Sequence, residues 1–298
     1  MKTDLSHLPG GKRRELEFVV EVLLEEFGKL TATRKAPRLA SGQVLKVILF
    51  GSYARGDWVE DPIGRYFSDY DLLIIVDHDD LADTVEFWDT AEVRLLKELS
   101  SGRRLRTPVN FIVHSLQDVN HQLERGRYFF VDIVREGTLL HNVQGHALAN
   151  PTELSPETAL AEAQGYFDQW FESADTALKG ANFYISEGDG KDAAFLLHQA
   201  TERYYNCLLL VLTLYTPKSH NLVRLRNLAE PLDARLIGIW PTKTKFEKRC
   251  FELLRAAYIK ARYSKHYRIT SDELAWISDR IQLLRQRVEA TCTERLAG

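Results

Sequence analysis

The chain has 298 residues, of which 45% are hydrophobic and 27% are charged, and its formal net charge at pH 7 is −3. This composition is typical of a folded globular protein and excludes collagen-like, low-complexity and wholly disordered chains. The charge also excludes a strongly basic protein that coats nucleic acid, although it is compatible with a local basic groove.

The first half of the chain mixes strand and helix patterns. Four apolar, β-branched runs predict strands, over 44–50, 71–77, 108–114 and 137–141. Apolar residues at helical spacing predict helices around them, over 11–34, 81–100 and 116–135. We therefore expect an α+β domain over residues 1–150.

The second half has no strand pattern. Pro151, Ser155 and Pro156 mark a boundary between the two halves. Beyond it, apolar spacing predicts five helices, over 156–186, 191–214, 219–238, 243–264 and 271–295. Residues 151–298 are accordingly predicted to form an all-α bundle.

The cysteines and the apolar runs indicate a cellular compartment. Three cysteines lie far apart, without the spacing of zinc ligands, and predict reduced thiols. The N-terminal residues have no apolar leader, and the longest apolar run is shorter than the roughly 18 residues of a membrane span. We expect a cytoplasmic protein that does not contact membranes.

Two short motifs in the first half suggest nucleotide chemistry. Gly51 and Ser52 directly follow the first predicted strand, and such a turn offers backbone N–H groups and a hydroxyl to phosphates. Asp69 and Asp71 open the second strand, where alternation places both carboxylates on one face. Paired carboxylates are stabilised by a divalent cation such as Mg²⁺, which also binds substrate phosphates. Together the motifs predict a site for a nucleoside triphosphate and Mg²⁺.

The run GSYARGD followed by SDYDLLIIV resembles the signature of minimal nucleotidyltransferases in the DNA polymerase beta superfamily. The resemblance implies transfer of a nucleoside monophosphate, with AMP from ATP favoured, to a hydroxyl acceptor. It implies that Gly51 and Ser52 hold the triphosphate, with Arg55 contacting a phosphate. It also implies that Asp69 and Asp71 bind Mg²⁺ or Mn²⁺.

The strand at 108–114 departs from the family pattern. The family usually has a third carboxylate there, which helps bind a second metal and can activate the acceptor; this chain has Asn110. An amide is a neutral ligand that cannot act as a general base. The domain is expected to transfer slowly, to recruit another carboxylate, or only to bind nucleotide. Asp118 and Asp132 remain open as substitutes.

Three stretches of the second half resemble the HEPN domain, a helical bundle that often accompanies minimal nucleotidyltransferases. They are AAFLLHQATERYYNCLLLVLTLY, PKSHNLVRLRNLAEPL and AAYIKARYSKHYRITSDEL. In ribonuclease members an Arg and a His flank the scissile phosphate, which here implies Arg262 and His266. We expect these two residues, at positions i and i+4, to lie on one helical face. Their short spacing favours anion binding over RNA cleavage.

The region around this Arg–His pair is basic and aromatic. Residues 243–268 contain nine Lys and Arg against two Glu, with tyrosines interleaved, which is typical of polyanion binding. In separated versions of this domain pair, the transferase adenylylates a tyrosine of the HEPN partner. The resemblance therefore implies a toxin–antitoxin-like arrangement, with Tyr263 and Tyr267 as candidate acceptors. It also implies a homodimer formed through the helical domain.

Three other functions remain open from the sequence. A nucleotide or RNA sensor would explain both Asn110 and the short Arg–His spacing. An aminoglycoside-type nucleotidyltransferase has the same architecture but needs an acidic groove for its cationic drug. A HEPN ribonuclease would cleave RNA without metal.

Overall fold

The computed structural model describes residues 1–61, 66–217 and 219–298, with backbone only at 60–61 and 66–67. The chain divides into two compact units, Met1–Leu154 and Ser155–Gly298. The first contains a small mixed sheet with helices, and the second is helical, as the sequence predicts.

The first unit begins with a long helix and contains six strands. The strands are β1 (Val44–Phe50), β2 (Glu60–Asp61), β3 (Tyr66–Phe67), β4 (Tyr70–Val76), β5 (Val109–Ser115) and β6 (Thr138–Asn142). The helices are α1 (Gly10–Thr31), α2 (Pro37–Ala40), α3 (Ser52–Arg55), α4 (Thr84–Phe87), α5 (Asp89–Ser101), α6 (Leu116–Glu124) and α7 (Tyr128–Glu136). A 3₁₀ turn spans Asp79–Ala82.

The main sheet has the strand order β5-β4-β1-β6. Strand β4 runs parallel to β5 and antiparallel to β1, and β1 is also antiparallel to β6. Both central strands are almost wholly buried, which explains why their sequences are continuously apolar. Helix α1 packs on the sheet through Val19, Val22 and Leu23. Helices α6 and α7 contact β5 and β1 respectively.

Two helices predicted as continuous in the first unit are interrupted. The predicted helix over 116–135 divides into α6 and α7 at Gly126, whose φ is +64°. A Cβ atom at Gly126 would lie 2.6 Å from the carbonyl oxygen of Thr152, so only glycine fits this close approach. The predicted helix over 81–100 begins instead as a 3₁₀ turn and α4, where Asp83 caps the first helical turn.

The second unit is built around one buried helix. Its helices are α8 (Pro156–Glu187), α9 (Gly190–Thr213), α10 (Leu222–Ala229), α11 (Lys245–Tyr263) and α12 (Ser271–Ala297). Helix α9 packs against the other four, which explains its apolar sequence. The predicted helix over 219–238 is shorter, because Pro231 lacks the N–H needed to continue it. In the part of the chain that the structure describes, no helix has the length and apolarity needed to cross a membrane.

Candidate functional site

The turn after β1 is pressed against a carboxylate. Gly51 has φ +72° and ψ −156°, a conformation open to glycine but strained for other residues. A Cβ atom placed on Gly51 would lie 2.6 Å from Oδ2 of Asp71. The absence of a side chain at Gly51 therefore allows the Gly51–Ser52 turn and the Asp71 carboxylate to be in contact.

The two predicted aspartates and Asn110 meet at one edge of the sheet. Asp71 pairs with Phe50 on β1 and with Asn110 on β5, while Asp69 lies just before β4. Asn110 Nδ2 donates a hydrogen bond of 2.9 Å to Oδ2 of Asp69. Two strands with apolar interiors thus bring together two carboxylates and an amide.

The electrostatics of this cluster favour a bound cation. Burial raises the pKa of Asp71 to about 8, and the negative charge of Asp69 raises it further, whereas the Asn110 hydrogen bond and the charge of Arg55 oppose the rise. A buried carboxylate pair is costly without a compensating positive charge. The donor atoms are carboxylate and amide oxygens, which suit a hard ion such as Mg²⁺ or Mn²⁺. The residues present therefore fit the expected divalent cation.

The amide also distinguishes this cluster from one with three carboxylates. Within the described ranges, no group of three or more His, Cys, Asp or Glu side chains is placed to hold a metal. Asn110 stands directly beside Asp71 in the register of β4 and β5. It can supply an oxygen ligand, but it cannot accept a proton at neutral pH.

Aromatic packing holds the turn in place. Tyr53 follows Ser52, is fully buried, and packs on Tyr70 at 4.5 Å and on Trp58 at 5.3 Å between ring centroids. Tyr70 lies between the two aspartates in sequence, so its side chain points to the opposite face of β4. The sequence analysis did not assign a role to these aromatic residues; their signal was their position inside both motifs.

Arg55 lies at the border of the cluster. It is the last residue of α3, and its Nε donates a hydrogen bond of 3.1 Å to Oδ2 of Asp57. Its charge opposes the rise in pKa of both Asp71 and Asp132, so the guanidinium lies within electrostatic range of both carboxyl groups. This position is compatible with the phosphate contact that the sequence predicts for Arg55.

The structure separates the two substitute carboxylates. Asp118 binds Nδ1 of His114 at 2.6 Å, and His114 lies four residues beyond Asn110, about 13 Å further along β5 at 3.3 Å per residue. Asp132 lies on α7, whose Phe129 ring contacts Phe50 with 5.5 Å between centroids.

The surroundings of Asp132 suit a proton acceptor. Burial raises its pKa, the charge of Glu136 adds to the rise, and Arg135 and Arg55 oppose it. Asp132, not Asp118, therefore shares the influence of Arg55 with Asp71. No spacing in the sequence distinguishes the two residues, because the packing of α7 on β1 decides the matter.

In the second unit, the expected helical face for Arg262 and His266 is wrong. Helix α11 ends at Tyr263, and His266 lies in the turn that follows. The chain leaves the helix because Tyr267 is buried and donates its hydroxyl to the carbonyl of Leu253 at 3.0 Å. Ser264 stabilises the turn by accepting a hydrogen bond from the His266 N–H at 3.2 Å.

Arg262 instead lies among aromatic rings. Its guanidinium carbon is 4.6 Å from the ring centroid of Tyr258, 4.9 Å from that of Tyr263 and 5.0 Å from that of Phe195. Its Nε donates to the carbonyl of Tyr258 at 2.7 Å. The remaining guanidinium donors lie at the surface, since Arg262 is exposed.

The two candidate acceptor tyrosines differ in accessibility. Tyr263 is 76% exposed, whereas Tyr267 is 5% exposed. Burial also raises the pKa of Tyr267, and its hydroxyl is engaged with the backbone. Tyr267 therefore does not fit the acceptor role, and Tyr263 does.

Comparison with protein families agrees with both resemblances. The nucleotidyltransferase domain model matches residues 34–127, which include the Gly51 turn, both aspartates and Asn110. The HEPN domain model matches residues 167–289, which include Arg262 and His266. No curated protein matches the chain. The chain thus consists of a nucleotidyltransferase domain followed by a HEPN domain.

Proposed function

We propose that the first unit transfers a nucleoside monophosphate, with AMP from ATP favoured, to a hydroxyl group in a reaction dependent on Mg²⁺ or Mn²⁺. We further propose that Tyr263 of the HEPN unit is an acceptor, in the same chain or in a second copy. The arrangement would resemble a toxin–antitoxin pair in which one unit modifies the other.

One contact carries this proposal. The Gly51 turn lies so close to Asp71 that a single Cβ atom would reach within 2.6 Å of the carboxylate. A triphosphate bound on the turn would therefore lie next to the carboxylate pair. This is the geometry in which a cation held by Asp69 and Asp71 also contacts phosphate oxygens.

The side chains divide the work between binding and proton transfer. Asp69, Asp71 and Asn110 would hold the cation, which supplies charge neutralisation at the phosphates. Ser52 and the backbone of the turn would orient the triphosphate, and Arg55 would stabilise its negative charge. Because Asn110 cannot take the proton of the attacking hydroxyl, we assign that role to Asp132, whose raised pKa suits a general base.

The test is transfer of labelled α-phosphate from ATP to the purified chain, followed by mass spectrometry of the modified residue. We expect label on Tyr263, and its loss in a variant with Asp69→Ala and Asp71→Ala. Asp132→Asn should reduce the transfer rate at least about tenfold without weakening ATP binding, as expected for loss of a general base. Asp118→Asn is the matched control and should leave the rate unchanged.

A nucleotide sensor is the second candidate, favoured by Asn110 in place of a third carboxylate. Cation-dependent ATP binding without label on the chain, on RNA or on an aminoglycoside would support the sensor and overturn the transferase. Label on an aminoglycoside alone would support the transferase but overturn the acceptor role of Tyr263.

We also propose that two copies pair through the HEPN unit. Support comes from exposed apolar side chains on its helices, where Phe183 is 59% exposed and Ile259 is 62% exposed. Sedimentation of the full chain and of Ile259→Lys tests this pairing. A monomer for the unchanged protein would overturn it.

A further inference from the structure

The HEPN unit contains a carboxylate placed between two histidines. Glu202 on α9 has a side chain that is only 10% exposed, and its Oε2 accepts a hydrogen bond of 2.9 Å from Nδ1 of His220. The same oxygen lies 3.5 Å from Nε2 of His198, which has no other hydrogen-bond partner. Burial tends to raise the pKa of Glu202, but hydrogen bonds from both histidines outweigh it and the pKa lies below its ordinary value. Glu202 is therefore an ionised carboxylate at neutral pH.

This carboxylate fixes the orientation of His220. Its Nδ1 is bound to Glu202, and its ring stacks on Tyr258 with 4.0 Å between centroids and an interplanar angle of 20°. The His220 side chain is nevertheless 53% exposed. Within the described residues, its Nε2 makes no hydrogen bond, so this nitrogen remains available to a ligand. A carboxylate behind an exposed imidazole also stabilises the positive charge that the ring gains with a second proton.

A pocket of about 220 Å³ opens beside this ring. Its walls are formed by His220, Asn221, Leu222, Glu252, Arg255 and Ala256. This volume is below the roughly 300 Å³ at which pockets for drug-sized ligands begin, so it suits a phosphate group or a sugar phosphate.

Two arginines border the same imidazole. Arg255 lies in the pocket wall and pairs with Glu252 at 2.5 Å, but Glu252 is 64% exposed, so solvent weakens this pair and an anion can replace it. Arg262 lies over the Tyr258 ring, the ring on which His220 also stacks. The spacing of Arg255 and Arg262 places both on one face of α11.

We propose that His220, held by Glu202, forms with Arg255 a binding site for a phosphate ester, in which protonated Nε2 donates a hydrogen bond to a phosphate oxygen. Arg262 adds positive charge from the other contact of Tyr258. The Arg–His pair of this HEPN unit is thus Arg262 with His220, brought together by tertiary packing, and not Arg262 with His266. The site does not depend on nucleotidyl transfer by the first unit.

The test follows the nine histidines of the full chain by their ring-nitrogen NMR signals, in a protein labelled with ¹⁵N-histidine. The probes are inorganic phosphate, AMP and a short single-stranded oligonucleotide, each titrated at several pH values without divalent metal. We expect a probe to shift the His220 signals and to raise the pH at which the ring loses its second proton. A response to AMP and phosphate identifies a nucleotide-type ligand, and a response to the oligonucleotide alone identifies a phosphodiester in a chain.

Three variants separate the proposed site from its rivals. Arg255→Gln should weaken probe binding about tenfold, as expected for loss of a charge-assisted hydrogen bond. Glu202→Gln should lower the pH at which His220 takes its second proton, an effect that a merely structural role would not produce. His266→Asn is the matched control, since His266 is also exposed in the same unit, and should leave binding unchanged.

Two results would overturn the proposal. One is that no probe perturbs His220 in the unchanged protein. The other is that His266→Asn abolishes binding whereas His220→Asn, in a protein with unaltered circular dichroism, retains it.

Discussion

Removing the charge of Asp71 is expected to make the metal-free protein less sensitive to alkaline pH. Asp71 is buried beside Asp69, which raises its pKa from 3.8 to about 8. A carboxyl group whose pKa is raised by folding contributes stability below its unfolded pKa, and this contribution is lost as pH rises through the folded value. The loss therefore runs from about pH 4 to about pH 8.

The size of the effect follows from proton linkage. One pH unit inside this window corresponds to about 1.4 kcal/mol, so the unchanged protein should lose about 3 kcal/mol of unfolding free energy between pH 6 and pH 8. Asp71→Asn keeps the shape of the side chain but cannot ionise, so it should not show this loss. For a unit of this size, 3 kcal/mol corresponds to about 6–12 °C in melting temperature.

The assay is thermal unfolding at pH 6, 7 and 8 in EDTA, followed by circular dichroism. Asp89→Asn is the control for a lost charge, because Asp89 is exposed on α5. Adding Mg²⁺ or Mn²⁺ should stabilise the unchanged protein more at pH 8 than at pH 6, because the cation competes with the proton, and should not stabilise Asp71→Asn. Parallel melting curves for the unchanged protein and Asp71→Asn across this range would refute the reasoning.

Three further predictions concern the same reaction. Asn110→Asp adds a third carboxylate, so it should lower the melting temperature in EDTA and tighten Mn²⁺ binding in calorimetry; unchanged Mn²⁺ affinity would contradict a ligand role. Gly51→Ala and its control Gly102→Ala both place alanine at positive φ, at about 1–2 kcal/mol each, but a Cβ meets the catalytic cluster only at Gly51. Only Gly51→Ala should therefore abolish stabilisation by ATP in thermal unfolding, and equal losses in both variants would contradict the close approach. Tyr263→Phe should remove label from the HEPN unit, whereas Tyr267→Phe should keep the label and lose about 1 kcal/mol of unfolding free energy with its buried hydrogen bond.

The sequence by itself determined the larger features of this protein. Apolar runs fixed β1, β4, β5 and β6 to within a residue, because buried strands must be continuously apolar. The motifs around Gly51 and Asp71 identified the nucleotidyltransferase domain, since the residues that handle phosphates and a cation lie close together in the chain. The two-domain order was likewise legible, because the strand pattern ends where the helical pattern begins.

Only the tertiary structure decided which distant side chains meet. Asp132 and Asp118 have equal standing in the sequence, but packing of α7 on β1 brings only Asp132 within electrostatic range of Arg55. Spacing alone joined Arg262 to His266, yet burial of Tyr267 ends α11 before His266 is reached. The histidine that Arg262 approaches through Tyr258 comes from another segment, ahead of α10. Periodicity reports local burial, whereas contacts between segments depend on how helices and strands pack, and a single sequence does not encode those distances in its spacing.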